Sequence, residues 1–89
     1  MKIIVKLMPP YRKKGDQGVY PFELDVEQLN LEDLAGYLNT KHRELFGYAL
    51  LDERGLLTAE FIVNSRSVSI TDNLKEGDIV TVVPYICGG

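Results

Sequence analysis

The sequence has few of the side chains that enzymes use at an active site. Its 89 residues include one cysteine, Cys87, and one histidine, His42, and no glycine-rich phosphate-binding motif. A single cysteine excludes an internal disulfide and a cysteine-based zinc site. His42 shares the apolar stripe of a predicted helix, so we interpret it as a packing residue. We therefore predict that the chain is not an enzyme by itself and that it binds no cofactor and no metal.

The chain also lacks a long hydrophobic run and an excess of basic residues. Its apolar N-terminal stretch contains Lys2 and is too short for a signal peptide or a membrane span. The formal net charge of -3 and the pI of about 5.0 disfavour nucleic-acid binding, because neutralising phosphates requires basic residues. We expect a cytoplasmic protein with no membrane and no nucleic-acid partner, in which Cys87 remains a thiol.

The composition and the first half of the sequence indicate a small globular domain. Hydrophobic residues make up 45% of the chain and charged residues 26%, which is the balance of an ordinary compact fold. Apolar side chains alternate with polar ones over residues 2–8 and again over residues 20–26, which predicts two strands. The loop between them carries the basic run Arg12-Lys13-Lys14. Such a run is either a solvated loop or a contact for an acidic partner or a phosphate.

A helix is predicted to begin after Asn30. The Asn30 side chain can cap the first turn, and Glu32 and Asp33 follow at the positive end of the helix dipole. Apolar residues then recur at helical spacing on one stripe, namely Leu31, Leu34, Ala35, Leu38 and Leu45. With Gly47 as the residue that stops the helix, the pattern predicts about 15 helical residues.

The second half of the sequence favours further strands. Residues 60–64 are apolar at their centre and precede a tight turn at residues 64–67, whereas residues 79–83 are almost continuously apolar. We expect residues 79–83 to form a central strand that is buried on both sides. The order of elements predicts an α+β fold with a mixed sheet and one main helix packed across it. This order suits a β-grasp (ubiquitin-like) arrangement, in which the last strand lies parallel beside the first.

The last residues are predicted to form a flexible C-terminal tail, residues 85–89, behind a domain of residues 1–84. The tail ends in Gly88-Gly89, and glycine can enter a narrow channel and adopt backbone angles that other residues refuse. The end of the tail presents the α-carboxylate of Gly89, which is ionised at neutral pH. A carboxylate acylates only after activation, for example by ATP. Because this chain has no nucleotide-binding motif, that step is assigned to a separate protein.

Several segments together resemble the ubiquitin-like sulfur carriers, which include the small subunit of molybdopterin synthase and the carrier of the thiamine pathway. The segments are Phe61-Ile62-Val63-Asn64, the Leu74-x-x-Gly77-Asp78 turn, Val83-Pro84 and the terminal Gly88-Gly89. The resemblance implies that an adenylating, E1-like enzyme uses ATP to activate the Gly89 carboxylate, which a sulfur donor converts to a thiocarboxylate. The thiocarboxylate then gives its sulfur to a synthase subunit for cofactor biosynthesis, and molybdopterin is the pathway that we expect.

The resemblance also implies which residues act. Gly89 carries the sulfur and Gly88 keeps the end of the chain narrow. The other partner-binding positions are Cys87, Ile86, Tyr85, Pro84 and Phe61. We interpret Cys87 either as a small residue that fits the channel or as a thiol that takes part in transfer. Three other functions stay open: a thiamine sulfur carrier, a protein modifier joined to lysines through Gly89, and a non-catalytic β-grasp interaction module.

Overall fold

The structure, a computed structural model, describes residues 1–84. Within them it contains five strands, one α-helix and one short 3-10 helix. The elements are β1 (Lys2–Leu7), β2 (Val19–Glu23), α1 (Leu31–Lys41), the 3-10 helix (Arg43–Leu45), β3 (Ala59–Val63), β4 (Arg66–Ser67) and β5 (Ile79–Pro84). Neither of these two helices is long and apolar enough to cross a membrane.

The strands form one mixed sheet in the order β2-β1-β5-β3-β4. Strands β1 and β5 run parallel, and the other three neighbouring pairs are antiparallel. Parallel strands need a long crossover connection, and here that connection contains the helix. The predicted α+β fold is confirmed, including the β-grasp sheet and the last strand parallel to the first.

Helix α1 covers one face of the sheet because one stripe of it is apolar. Its buried residues are Leu31, Leu34, Ala35 and Leu38. They form a single core with the alternate residues of β1, β3 and β5 that face the helix. At the start of α1, the backbone N–H of Asp33 donates to Asn30 Oδ1 at 2.7 Å, which satisfies one donor of the first turn. The predicted cap and most of the predicted stripe are confirmed.

The helix is shorter than the sequence pattern predicts. His42 has φ -131° and ψ 31°, outside the helical region, and the chain continues as the 3-10 helix. The cause is tertiary, because Phe46 is buried and the N–H of Gly47 donates to the Tyr11 carbonyl at 2.8 Å. Gly47 is therefore a close-packing position and does not stop α1. A Cβ at Gly47 would lie 2.8 Å from the Pro10 carbonyl oxygen.

Strand β5 is central in the sheet, but the prediction that it is buried on both sides is wrong. Val80 and Val82 face the helix and are fully buried, whereas Ile79, Thr81 and Val83 point to the other face and are half-buried. The described elements provide one helical layer, and it covers one face of the sheet. We call the opposite face the open face, since no element of residues 1–84 packs across it.

Candidate functional site

The described residues end on the central strand, where the predicted tail begins. Pro84 is the last residue of β5 and lies opposite Ala59 of β3. On the other side of β5, the Met8 N–H donates to the Val82 carbonyl at 3.0 Å. Residues 82–84, which we call the tail root, therefore have hydrogen-bonded neighbours on both sides.

The structure describes two of the seven predicted site residues. Pro84 is half-buried at the tail root. Phe61 is only 2% exposed and belongs to the core, so its side chain offers no exposed surface to a partner. The other five residues lie outside the described part of the chain: Tyr85, Ile86, Cys87, Gly88 and Gly89.

The open face carries a set of apolar side chains that are not covered. They are Ile4, Val19, Ile62, Ile79 and Val83, of which Val19 is exposed and the others are half-buried. In the strand register Ile4 lies opposite Ile79, and Thr81 lies between Lys6 and Ile62. Val19 and Val83 lie opposite the charged residues Lys6 and Glu60. Uncovered apolar side chains grouped on one face of a small protein are typical of an interaction site.

Sequence reasoning missed the open face as a functional surface. The signal for it lies in β5, where both alternating sets of residues are apolar although the described chain supplies one main helix. In a two-layer fold one set faces the helix, and the other set must face solvent or a partner.

The loop of residues 9–18, which we call the basic loop, is anchored beside the tail root. The Tyr11 side chain is 1% exposed. Its hydroxyl donates to the Thr58 carbonyl at 2.8 Å and lies 3.0 Å from Thr58 Oγ1. Thr58 directly precedes Ala59, the residue that lies opposite Pro84. The basic loop therefore has a fixed base next to the strand end from which the tail begins.

The cationic side chains of the basic loop are directed to solvent. Arg12, Lys13 and Lys14 are exposed, and none of them forms an ion pair with a carboxylate of residues 1–84. The Arg12 stem packs on Gly18, where a Cβ would lie 2.6 Å from Arg12 Cδ. Gly18 also has φ +71°, so both the backbone angle and the close contact require glycine there.

The basic loop contains one carboxylate, Asp16, which is held by hydrogen bonds. The Tyr20 hydroxyl donates to Asp16 Oδ2 at 2.5 Å, and the Gly18 N–H donates to Asp16 Oδ1 at 3.4 Å. The hydrogen bond from Tyr20 is the main cause that lowers the pKa of the Asp16 carboxyl. The same hydrogen bond raises the pKa of Tyr20 to about 12. With three cations and one carboxylate, residues 9–18 carry a net charge of +2 at neutral pH.

His42 lies in an aromatic cluster after the end of α1. Its Nε2 is 3.1 Å from the Tyr37 hydroxyl, and its ring centroid is 5.0 Å from that of Phe22. Its Nδ1 lies 3.9 Å from a carboxylate oxygen of Glu44. These contacts are those of a packing residue. Among residues 1–84, no group of three or more histidine, cysteine, aspartate or glutamate side chains is arranged to hold a metal ion.

No protein-family model matches the sequence, and no curated protein matches it. Solved structures do match. SAMP1 from Haloferax volcanii is similar over 100% of both chains, with a TM-score of 0.77 and 16% sequence identity. A protein provisionally described as molybdopterin converting factor subunit 1, from Pyrococcus furiosus, has a TM-score of 0.73 and 26% identity. That similarity covers 97% of this chain and 99% of the other.

A further match is the protein–protein complex of subunits 1 and 2 of the molybdopterin-converting factor from Helicobacter pylori. The TM-score is 0.60 at 21% identity, over 100% of both chains. The fold is that of the ubiquitin-like sulfur carriers. The resemblance indicated by the sequence segments is thereby confirmed.

Proposed function

We propose that this chain is a sulfur carrier protein in the role of the small subunit of a molybdopterin synthase. The observation that carries the proposal is the similarity, over nearly the whole length of both chains, to a molybdopterin converting factor subunit 1 at 26% identity. The sequence supports it, because Gly88-Gly89 follows shortly after β5 ends at Pro84. In this role the chain is a carrier and a partner subunit, and catalysis belongs to other proteins.

The proposed chemistry takes place at Gly89. An adenylating enzyme joins the Gly89 carboxylate to the α-phosphate of ATP and releases pyrophosphate. A sulfur donor at the oxidation level of sulfide then displaces AMP and leaves a thiocarboxylate. The thiocarboxylate sulfur then bonds to an electrophilic carbon of an acceptor in the synthase. Water cleaves the bond between the Gly89 carbonyl carbon and the sulfur, which leaves the sulfur on the acceptor and returns the carboxylate, so that the carrier can be used again. Gly88 and Gly89 suit this task because they have no side chain to obstruct a narrow channel.

The domain can present such a tail at a defined reach. The five residues from Tyr85 to Gly89 can extend at most roughly 18 Å beyond Pro84, at up to about 3.6 Å per residue. Because β5 is paired on both sides, the tail root has a fixed position relative to the sheet. A partner channel of about that depth would receive Gly89 while the domain remains outside.

The open face is the surface that we propose for the synthase subunit. Its residues Ile79 and Val83 lie on the strand that leads to the tail, and Ile4 and Ile62 lie on the two strands beside it. Burial of apolar surface is the main favourable term in lasting protein association. The Helicobacter pylori subunit 1 is in a complex with subunit 2, which supports a complex of this kind for the present chain.

The first test is the intact mass of the protein, purified from its own cells under conditions that preserve thioacids. We expect a species that is heavier by the replacement of one oxygen with sulfur and that is lost when Gly89 is deleted. The matched control is Cys87→Ala in the same tail, which keeps the Gly89 carboxylate and should keep the added mass. Loss of the added mass in Cys87→Ala would instead assign the sulfur to a step that needs the thiol.

Other outcomes would contradict the proposal. Only unmodified protein, with ATP, the adenylating enzyme and a sulfur supply all present, would count against sulfur carriage. Gly89 joined to lysine amines in cell extracts would favour a protein modifier.

The pathway has a separate test. The thiocarboxylate form is mixed with a purified molybdopterin synthase large subunit and its precursor, and molybdopterin is measured. Sulfur found in the thiazole of thiamine, and absent from molybdopterin, would place the carrier in the thiamine pathway.

A further inference from the structure

The basic loop is a feature that the proposed function does not use. Its net charge of +2 stands in a chain of net charge -3, so the rest of the chain carries -5. A concentration of positive charge on an otherwise acidic protein gives the molecule an electrostatic polarity. Such a polarity orients the molecule as it approaches an oppositely charged surface.

The basic loop and the tail root are connected by two successive backbone hydrogen bonds. The Arg12 N–H donates to the Met8 carbonyl at 3.1 Å, and the Met8 N–H donates to the Val82 carbonyl at 3.0 Å. Because β1 and β5 are parallel, the loop leaves the sheet at the same end as the tail does. The cations therefore belong to a loop at the same end of the sheet as Pro84.

The loop is held in place while its charges stay available. Tyr11 is buried and fixes the base of the loop through Thr58. Asp16 is the carboxylate within the loop, and it accepts a hydrogen bond from the Tyr20 hydroxyl. Lys13 and Lys14 are exposed and have no ion-pair partner in the described part of the chain. A fixed base with unpaired, exposed cations is suited to contact with another molecule.

We propose that the basic loop is a docking element, which steers the tail to an acidic surface beside the channel of the adenylating enzyme. This inference rests on the proposed function, because it requires a partner that receives the tail. The adenylating enzyme is the favoured partner because the synthase subunit is already assigned to a different surface, the apolar open face. Exposed charges act mainly on the rate of association and less on the lifetime of a complex. The apolar open face is suited to the lasting complex with the synthase subunit.

The test is the association rate constant of the complete protein with its purified adenylating enzyme, at low and at physiological ionic strength. The loop variant is Lys13→Glu/Lys14→Glu, and it spares Arg12 because the Arg12 stem is packed. The matched control is Arg66→Glu/Lys75→Glu. It makes the same change in charge near the opposite end of the sheet, where β5 begins.

At low ionic strength we expect the loop variant to associate at least about tenfold more slowly than the wild type, and the control to change less than about threefold. The difference should shrink at physiological ionic strength, where the screening length falls from about 30 Å to about 8 Å. The rate of adenylation at a saturating concentration of carrier should be unchanged in both variants, because at saturation this rate no longer depends on how fast the carrier associates. Circular dichroism of both variants checks that they are folded.

Equal association rates of the loop variant and the wild type at low ionic strength would overturn the inference. An equal slowing by the control would also overturn it, since that result would show a general effect of net charge. Slowing seen only with the synthase subunit would overturn the choice of partner. A wild-type protein that ATP and the enzyme fail to adenylate contradicts the proposed function as well. Normal adenylation without charge-dependent association contradicts this inference alone.

Discussion

The Asn64 side-chain amide donates to the Asp78 carboxylate at 2.8 Å and joins the end of β3 to the turn before β5. Asn64 Oδ1 also accepts from the Ile79 N–H at 2.9 Å. The other Asp78 carboxylate oxygen accepts from the Lys75 N–H at 2.8 Å. Asn64 and Asp78 belong to two of the segments in which the sequence resembles the sulfur carriers. Their physical role is to fix the first residue of the strand that leads to the tail.

Replacement of Asn64 should therefore weaken the whole sheet. Asn64→Ala removes both side-chain hydrogen bonds and leaves a carboxylate oxygen of Asp78, which is only 9% exposed, without its partner. We expect the free energy of unfolding to fall by about 2–3 kcal/mol, measured by urea denaturation.

The control for this prediction is Asn64→Gly, which accepts the φ of 50° at this position without strain. It should lose less stability than the alanine variant, and what it does lose measures the hydrogen bonds. A glycine variant as stable as the wild type would show that Asn64 serves only the backbone angle.

Two glycines near or within the helical segment should respond in opposite ways to alanine. A Cβ at Gly36, in the interior of α1, would meet nothing within 4 Å, whereas a Cβ at Gly47 would lie 2.8 Å from the Pro10 carbonyl oxygen. Gly36→Ala should raise the free energy of unfolding by up to about 1 kcal/mol, because alanine favours the helix. Gly47→Ala should lower the free energy of unfolding, because the new Cβ would push the backbone at residue 47 away from the Pro10 carbonyl. Thermal unfolding of both variants checks the pair, and the same sign of change in both would contradict the prediction.

The open face should be needed for association and not for folding. Ile62→Lys places a charge in the middle of this face, at a half-buried position. We expect the dissociation constant for the synthase large subunit to rise about tenfold or more, which corresponds to about 1.4 kcal/mol. The matched control is Val26→Lys, at an exposed position outside the sheet. Calorimetric titration of both variants measures the effect, and equal affinities would remove the open face from the interface.

The hydrogen bond between Asp16 and Tyr20 should give stability a dependence on pH at both extremes. The lowered pKa of Asp16 means that its contribution is present above the ordinary pKa of an aspartate and is lost as the pH falls through the lowered value. The pKa of Tyr20 is raised from 10.0 to about 12, so its contribution is present below pH 10 and is lost as the pH rises toward 12.

The measurement for this pair compares the wild type with Tyr20→Phe. The difference in the free energy of unfolding should stay constant from about pH 5 to about pH 9 and shrink outside that window. The difference in phenolate absorbance between the wild type and Tyr20→Phe reports the ionisation of Tyr20 independently. An ionisation of Tyr20 near pH 10 would contradict the raised pKa.

Local signals in the sequence predicted those elements whose causes are local. The capping of α1 by Asn30 depends on residues three positions apart, and the alternation in β1 depends on residues two apart. The order of elements suited a β-grasp, in which the last strand lies parallel beside the first, and the pairing of β1 with β5 confirms it.

Features with distant causes could not be predicted in this way. The early end of α1 goes with the burial of Phe46 and with the hydrogen bond that the Gly47 N–H donates to the Tyr11 carbonyl. The anchoring of the basic loop depends on the contact of Tyr11 with Thr58, which is 47 residues away. Ile79 and Val83 are only half-buried because the described chain has no second helical layer to cover them, which neither residue reveals by itself.

The position of β5 between β1 and β3 has a mechanical consequence for the tail that follows Pro84. A pull on Pro84 along the strand axis loads the hydrogen bonds to both neighbouring strands at once, in shear. Several bonds must then break together, whereas a pull on the edge strand β4 would peel its two residues from the sheet one after the other. A partner that draws the chain end into a channel can therefore apply tension while the folded domain remains intact.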